Sequence, residues 1–316
     1  MEYKVNSNFK LFSLNSSQTL TKEVAKILGC EIGKVSATHF SDGEIKLEIQ
    51  ESVRGKEVFV VQSTSHPVND HIIELLIMID ALKRAAADSI NVVVPYYSYA
   101  RQDRIAGPRE PITAKLVANL LQKAGATRVV TMDFHAPQIQ GFFNIPVEHL
   151  IAIPIFQEYF QNKNLEDVIV VAPHNGTVAR ARRLAERLGV PIALIDRRNS
   201  ERDMPESMDI VGDIEGKNCI IVDDMVDTGT NITTSANALA QKGAKEVYAC
   251  CTHAILSGSA VSKIQASELK ELIVTNTIEL PDEMLTSKIK TLSVAPLFVE
   301  AIDRIHHKKA VSPLFE

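Results

Sequence analysis

The sequence predicts an α/β protein of two similar halves, each a parallel sheet flanked by helices. Short apolar runs at 90–94, 128–132, 168–171, 219–222 and 247–251 have the length and β-branched content of strands buried on both faces. Amphipathic segments at helical spacing separate them, and strands alternating with helices build parallel sheets that gather ligands at the strands' carboxyl ends. The chain also echoes itself. Ala118-Asn119, Leu121, Gly125-Ala126, Val129 and His135-Ala136 match Ala236-Asn237, Leu239, Gly243-Ala244, Val247 and His253-Ala254 at one constant offset, without gaps. Two related domains follow, 1–150 and 151–316, joined near 150–154.

Taken in order, 10–14 reads as a strand and 15–28 as a helix with Leu20, Val24, Ile27 and Leu28 on one face, closed by Gly29. Alternation over 44–49 predicts a half-exposed strand, and 57–62 another that ends in Ser63-Thr64-Ser65. A helix over 70–84 carries a wide apolar face of Ile72, Ile73, Leu75, Leu76, Ile79 and Leu82. Strand 90–94 stops at Pro95 and delivers Tyr96 through Arg104 to its carboxyl end. A helix at 112–124 and a strand at 128–132 follow, with Asp133-Phe134-His135 just past the strand. The second half repeats the order: strand 168–171, helix 177–188, strands 192–195 and 219–222, helix 231–242, strand 247–251.

With 316 residues, 45% of them hydrophobic and 23% charged, the chain has material for two cores. A net charge of −5 argues against a nucleic-acid partner, whose phosphates call for a broad basic surface. Basic residues are local instead, as in Arg180, Arg182, Arg183, Arg187, Arg197 and Arg198. Cys30, Cys219, Cys250 and Cys251 make no C-x-x-C pair, and three of them sit in apolar runs, as reduced core thiols do. Met1-Glu2-Tyr3-Lys4 opens without an apolar signal region, and no run is long enough to cross a bilayer. A cytoplasmic protein without a membrane partner is expected.

Chemistry concentrates in Asp223-Asp224-Met225-Val226-Asp227-Thr228-Gly229-Thr230-Asn231, read as a loop between the 219–222 strand and the next helix. A turn of Gly, Thr and Asp there sets N–H groups and hydroxyls around one point, and the helix aims its positive end at it. A phosphate monoester fits such a cup. Asp223 and Asp224 repel phosphate, so their partners are ribose hydroxyls or a divalent cation. Two adjacent carboxylates directly after a buried strand are costly unless used.

This order, Asp-Asp-x-x-Asp-Thr-Gly-Thr, resembles the phosphoribosyl-binding loop of the phosphoribosyltransferase-type fold, which implies that both halves are phosphoribosyltransferase-like domains. Four further stretches narrow the resemblance: Phe40-Ser41-Asp42-Gly43-Glu44, Ser52-Val53-Arg54-Gly55, Tyr99-Ala100-Arg101-Gln102-Asp103-Arg104, and the run from Asp133-Phe134-His135 to Gly141-Phe142-Phe143. Together they resemble the ribose-phosphate pyrophosphokinase (phosphoribosyl diphosphate synthase) family over essentially the whole chain. The resemblance implies transfer of the β,γ-diphosphoryl group of ATP to O1 of ribose 5-phosphate, with Mg²⁺ required. It also implies an ATP side in the first domain and a ribose 5-phosphate side in the second.

Residue by residue, the resemblance implies ATP binding by Arg101 and Gln102, together with Phe40, Asp42, Gly43 and Glu44 supplied by a neighbouring subunit. An oligomer follows, commonly a homohexamer, or a mixed one with a paralogue. Arg101 is suited to lie along a polyphosphate or stack on adenine. Ribose 5-phosphate falls to Asn199, Asp223, Asp224, Asp227, Thr228, Gly229, Thr230 and Asn231, and catalysis to Arg197 and Arg198. His135 and His174 fall at metal positions, although hard Mg²⁺ prefers oxygen. Asp133 is suited either to hold metal-bound water or to cap a helix.

The chain departs from the family pattern at four places. His174, in Pro173-His174-Asn175-Gly176-Thr177, replaces a metal-binding aspartate. Asp196-Arg197-Arg198-Asn199 replaces a catalytic loop that begins with Lys and has Arg two positions later. Gly229, Thr230 and Asn231 stand where a small residue, Gly and Thr are usual. Arg104-Ile105-Ala106-Gly107-Pro108-Arg109 is less basic than usual. The expectation is therefore a diphosphokinase whose activity is present or reduced. The alternatives are a non-catalytic regulatory paralogue assembling with an active synthase, or a nucleobase phosphoribosyltransferase, which only Asp227-Thr228-Gly229-Thr230 favours.

Overall fold

The computed structural model describes residue 3, residues 5–198 and residues 207–314, except the side chains of 197, 198 and 207. The chain divides into two units. In the first lie β1 (Phe9–Ser13), α1 (Gln18–Leu28), β2 (Val35–His39), β3 (Ile45–Ile49), β4 (Glu57–Val61), α2 (Val68–Arg84), β5 (Ser89–Val94), α3 (Thr113–Ala124), β6 (Arg128–Met132) and β7 (Val147–Leu150). Strands β1, β4, β5, β6 and β7 pair in that spatial order, all parallel, while β2 and β3 form a separate antiparallel ribbon. Helices cover both faces, so Val58, Phe59, Val60, Val92, Val93 and Val94 are all buried whichever way they point. Helix α1 stops at Gly29, whose left-handed φ of 66° lets its N–H reach back to Ala25 and Lys26.

The second unit contains α4 (Ile153–Lys163), β8 (Val168–Ala172), α5 (Val178–Leu188), β9 (Ile192–Arg198), β10 (Ser207–Val211), β11 (Asn218–Val226), α6 (Thr230–Gln241), β12 (Glu246–Ala254), α7 (Ala260–Ala266), β13 (Leu269–Thr275) and β14 (Ile289–Leu292). Its sheet runs β10-β9-β8-β11-β12-β13-β14, parallel except for the β10–β9 pair at one edge. The internal echo falls on equivalent elements: Ala118 and Leu121 lie in α3 as Ala236 and Leu239 lie in α6, and Val129 lies in β6 as Val247 lies in β12.

The domain limits differ from the 1–150 and 151–316 expected. The first unit is Met1–Ile151 together with Thr277–Glu279 and Ser293–Glu316; the second is Ala152–Asn276 with Leu280–Leu292. The last helix, α8 (Ala295–His306), therefore belongs to the first unit, packed against α1. Phe298, Val299 and Ile302 are buried there, and His306 Nδ1 lies 2.5 Å from Glu57 Oε2 with its ring edge-on to Phe9. An apolar stripe announces that a helix must be covered but not which sheet covers it, so contiguity in sequence misassigned this one.

Candidate functional site

The apolar run 219–222 understates its strand. Because β12 extends to Ala254, the ladder continues through Asp223↔Cys251, Met225↔His253 and Val226↔Ala254, so Asp223 and Asp224 lie inside β11 rather than in a loop after it. Their side chains leave opposite faces of the strand. Asp224 is buried at 5% exposure and the Asp223 side chain keeps 15%. The Asp224 N–H donates to Asp223 Oδ1 over 2.9 Å. Burial pushes the Asp223 carboxyl above the usual carboxylate range; the nearby His174 ring opposes this, and the adjacent Asp224 adds to it. Burial likewise pushes up the Cys251 thiol on the neighbouring strand, with Asp223 reinforcing it, which leaves a core thiol rather than a reactive one.

After Val226 the chain turns into α6, which opens at Thr230. Gly229 caps it in the left-handed region at φ 74°, and a Cβ there would stand 3.2 Å from the Ala260 carbonyl oxygen, so both conformation and space require glycine. Ser257 fixes Asp227 twice, donating its N–H to the Asp227 carbonyl over 3.0 Å and its hydroxyl to Asp227 Oδ1. Thr228 and Thr230 are exposed, and Lys263 of α7 donates to Thr230 Oγ1 over 2.8 Å and to the Thr228 carbonyl over 3.3 Å. Asn231 sits in the first turn of α6, exposed. The N–H groups of a first helical turn lack intrahelical acceptors, so this end supplies donors and partial positive charge beside two hydroxyls. Carboxylates at the strand end and donors at the helix start together suit a sugar phosphate. Ser257 and Lys263 escaped the sequence reading because nothing local ties residues thirty positions downstream to the loop.

His174 follows β8 and leads into a short helical turn at Asn175–Thr177, held by Thr177 Oγ1 donating to the His174 carbonyl over 2.8 Å. Its Nε2 lies 3.7 Å from Asp223 Oδ2, so the structure brings this residue beside the carboxylates of β11. Arg197 and Arg198 end β9, opposite Met208 and Ser207 of β10 in an antiparallel ladder. Strand β9 thus runs three residues past the predicted 192–195, because β10 supplies an edge partner that the apolar pattern does not reveal. Asn199 lies outside the described residues.

In the first unit, Phe40, Asp42, Gly43 and Glu44 form the tip of the β2–β3 ribbon. The Phe40 N–H donates to the Glu44 carbonyl over 2.7 Å, the Glu44 N–H donates to Asp42 Oδ1 over 3.1 Å, and Gly43 supplies the positive φ of 95°. Phe40 is 52% exposed, an aromatic ring held out to solvent by a tight turn. Arg101 and Gln102 follow β5 in an exposed turn whose entry is fixed by Tyr97, donating its hydroxyl to the Ala114 carbonyl over 2.8 Å, and by Tyr99 at φ 59°. The Gln102 carbonyl accepts from the Ala114 N–H over 3.1 Å, which ties the turn to α3. Asp133 is buried just past β6 at φ 39°, its N–H donating to the Leu150 carbonyl over 2.9 Å. It caps no helix, since the next helical turn opens later, at Pro137 after Ala136. His135 beside it is exposed.

Among the described residues no group of three or more His, Cys, Asp or Glu side chains is placed to hold a metal ion.

Comparison with known proteins decides between these chemistries. Residues 9–125 match the N-terminal domain of ribose phosphate pyrophosphokinase, and residues 200–316 match the phosphoribosyl synthetase-associated domain. The Bacillus subtilis ribose-phosphate pyrophosphokinase is 59% identical over 98% of this chain and 98% of its own. The Bacillus caldolyticus protein of that name is 60% identical over 97% and 98%. The chain belongs to the ribose-phosphate pyrophosphokinase family. The crystal structure of phosphoribosylpyrophosphate synthetase from Mycobacterium smegmatis superposes with a TM-score of 0.91 at 41% identity, covering 96% of this chain and all of that one. The two-domain phosphoribosyltransferase-type fold of this family is thereby shown for the chain. Neither a non-catalytic paralogue nor a nucleobase phosphoribosyltransferase gains support from relatives that carry the ribose-phosphate pyrophosphokinase name along their whole length.

Proposed function

We propose that this chain is a ribose-phosphate diphosphokinase, forming phosphoribosyl diphosphate and AMP from ATP and ribose 5-phosphate. The anomeric hydroxyl of ribose 5-phosphate attacks the β-phosphorus, the bond from that phosphorus to the AMP oxygen breaks, and the hydroxyl proton is released. The observation that carries the reading is the strand-to-helix passage of β11 into α6, where Asp223 and Asp224 precede a glycine-capped helix start. The carboxylates there take the ribose hydroxyls, and Thr228, Thr230 and the first-turn N–H groups take the phosphate. Arg101 and Gln102 contact the nucleotide, with Phe40, Asp42, Gly43 and Glu44 reaching it from another subunit. The exposed Phe40 ring supports this, since an aromatic face on a rigid tip is costly in water and suited to a purine.

Arg197 and Arg198 serve catalysis, where charge spreads onto the transferring group, and Asn199, outside the described residues, falls to ribose 5-phosphate. Mg²⁺ would supply charge neutralisation at the phosphates when bound; the resemblance puts His135 of the first unit and His174 of the second at metal positions, although hard Mg²⁺ prefers oxygen donors. Loss of one well-placed cation costs on the order of a thousandfold, by analogy with arginine fingers. Arg197 retains charge, but its planar fork does not reproduce an ammonium's point position, so turnover is reduced. The chain works as a homo-oligomer, a hexamer by resemblance, or with a paralogue, in the cytoplasm. Incubating it with ATP, Mg²⁺ and ribose 5-phosphate should release AMP and phosphoribosyl diphosphate in equal amounts. No AMP above the level without ribose 5-phosphate would overturn the assignment.

A further inference from the structure

We propose that Lys263 of α7 is the cation that recognises the 5-phosphate, an inference that rests on the ribose 5-phosphate reading of the β11–α6 passage. A sugar phosphate carries close to two negative charges, and β11 presents Asp223 and Asp224 nearby, with Asp227 directly after it. Hydroxyls and N–H groups at Thr228 and Thr230 bring only partial positive charge against this. Lys263 Nζ stands at both residues, 2.8 Å from Thr230 Oγ1 and 3.3 Å from the Thr228 carbonyl. An ammonium has three donors, so one remains for a phosphate oxygen after these two.

The same short segment braces the loop at three points. Ser257 holds Asp227 by backbone and side chain, the Ala260 backbone lies against Gly229, and Lys263 reaches Thr230 one turn on. A substituent on Gly229 would meet Ala260 first, so the spacing between α7 and the loop is set by packing and not by the flexible lysine. The lysine is exposed, which places its contribution at the low end of a charge-assisted contact, about tenfold in affinity.

The competing role is that of a brace alone, with the ammonium merely bonding the loop's own oxygens. Calorimetry of ribose 5-phosphate with the full chain separates the two. Lys263→Gln keeps a donor for Thr230 without the charge, so a brace survives in it and a phosphate cation does not. The expected result is a roughly tenfold weaker ribose 5-phosphate affinity in both Lys263→Ala and Lys263→Gln, near-normal affinity in Lys263→Arg, and a difference that shrinks with added salt. ATP affinity should not change, nor should ribose 5-phosphate affinity in Lys270→Ala, whose lysine pairs with Glu246 instead. Lys263→Gln binding like the unaltered chain overturns the inference while leaving the ribose 5-phosphate site standing. Failure of the unaltered chain to bind ribose 5-phosphate overturns that site and the inference with it.

Discussion

His174 Nε2 lies 3.7 Å from Asp223 Oδ2, so the residue at the position where the resemblance expects an aspartate faces the carboxylate proposed for ribose. An aspartate at 174 would set two carboxylates against each other unless a cation lay between them, whereas histidine sets a ring nitrogen there with no such repulsion. The replacement is thus accommodated by the free protein. In the proposed reaction its cost falls on the polyphosphate, because an imidazole nitrogen is a poorer Mg²⁺ partner than a carboxylate oxygen.

Restoring the family pattern with His174→Asp, Arg197→Lys and Asn199→Arg together should raise the AMP release rate by tenfold or more, on the order of one recovered cation. His174→Asp alone should gain little, because groups that act together are not additive. A folded triple variant with no gain in steady-state rate would show that the departures do not limit turnover.

Asp223→Ala should weaken ribose 5-phosphate about ten- to a hundredfold, the worth of a hydrogen bond to a charged group. Its thermal midpoint should hold, since the carboxylate removed is one that burial already disfavours. Isothermal calorimetry with ribose 5-phosphate reads the first and a melting curve the second; unchanged affinity would remove Asp223 from the site.

Phe40→Ala should leave stability within about 0.5 kcal/mol, as surface substitutions do, because the ring is more than half exposed and the tip is held by backbone bonds. Affinity for ATP should nevertheless drop, and the drop should appear only where oligomers form. Sedimentation and nucleotide binding followed on one concentration series would test it. Equal loss in a monomer would place the ring in its own subunit's site.

Stability should also respond to acid through Glu271, which accepts from Lys163 Nζ at 2.6 Å and from the Tyr159 hydroxyl at 2.7 Å. Burial alone would raise its carboxyl, but these two donors outweigh that and hold it below the usual range. A depressed carboxylate stabilises the fold above its ordinary pKa and loses that contribution as pH falls through its folded value. Glu271→Gln should therefore melt earlier at neutral pH, with the gap closing through the acid range. A gap of constant size would point to packing instead.

The sequence by itself determined the α/β class, the two related halves and the passage from a buried strand through a Gly-Thr turn into a helix at β11–α6. Each of these rests on a short-range pattern: buried runs such as 90–94, a residue echo that lands on α3–β6 and α6–β12, and a turn of Asp, Thr and Gly between an apolar run and a helix. Only the tertiary structure decided what depends on a partner distant in sequence. Strand β11 continues through Asp223 and Asp224 because β12 pairs with it, and β9 continues to Arg198 because β10 does. Helix α8 joins the first unit because α1 complements its apolar stripe, and Lys263 reaches Thr230 because Ala260 packs on Gly229. Local patterns state what a segment needs, a ladder or a covered face or a cation, whereas which segment supplies it is settled by the packing of the whole unit.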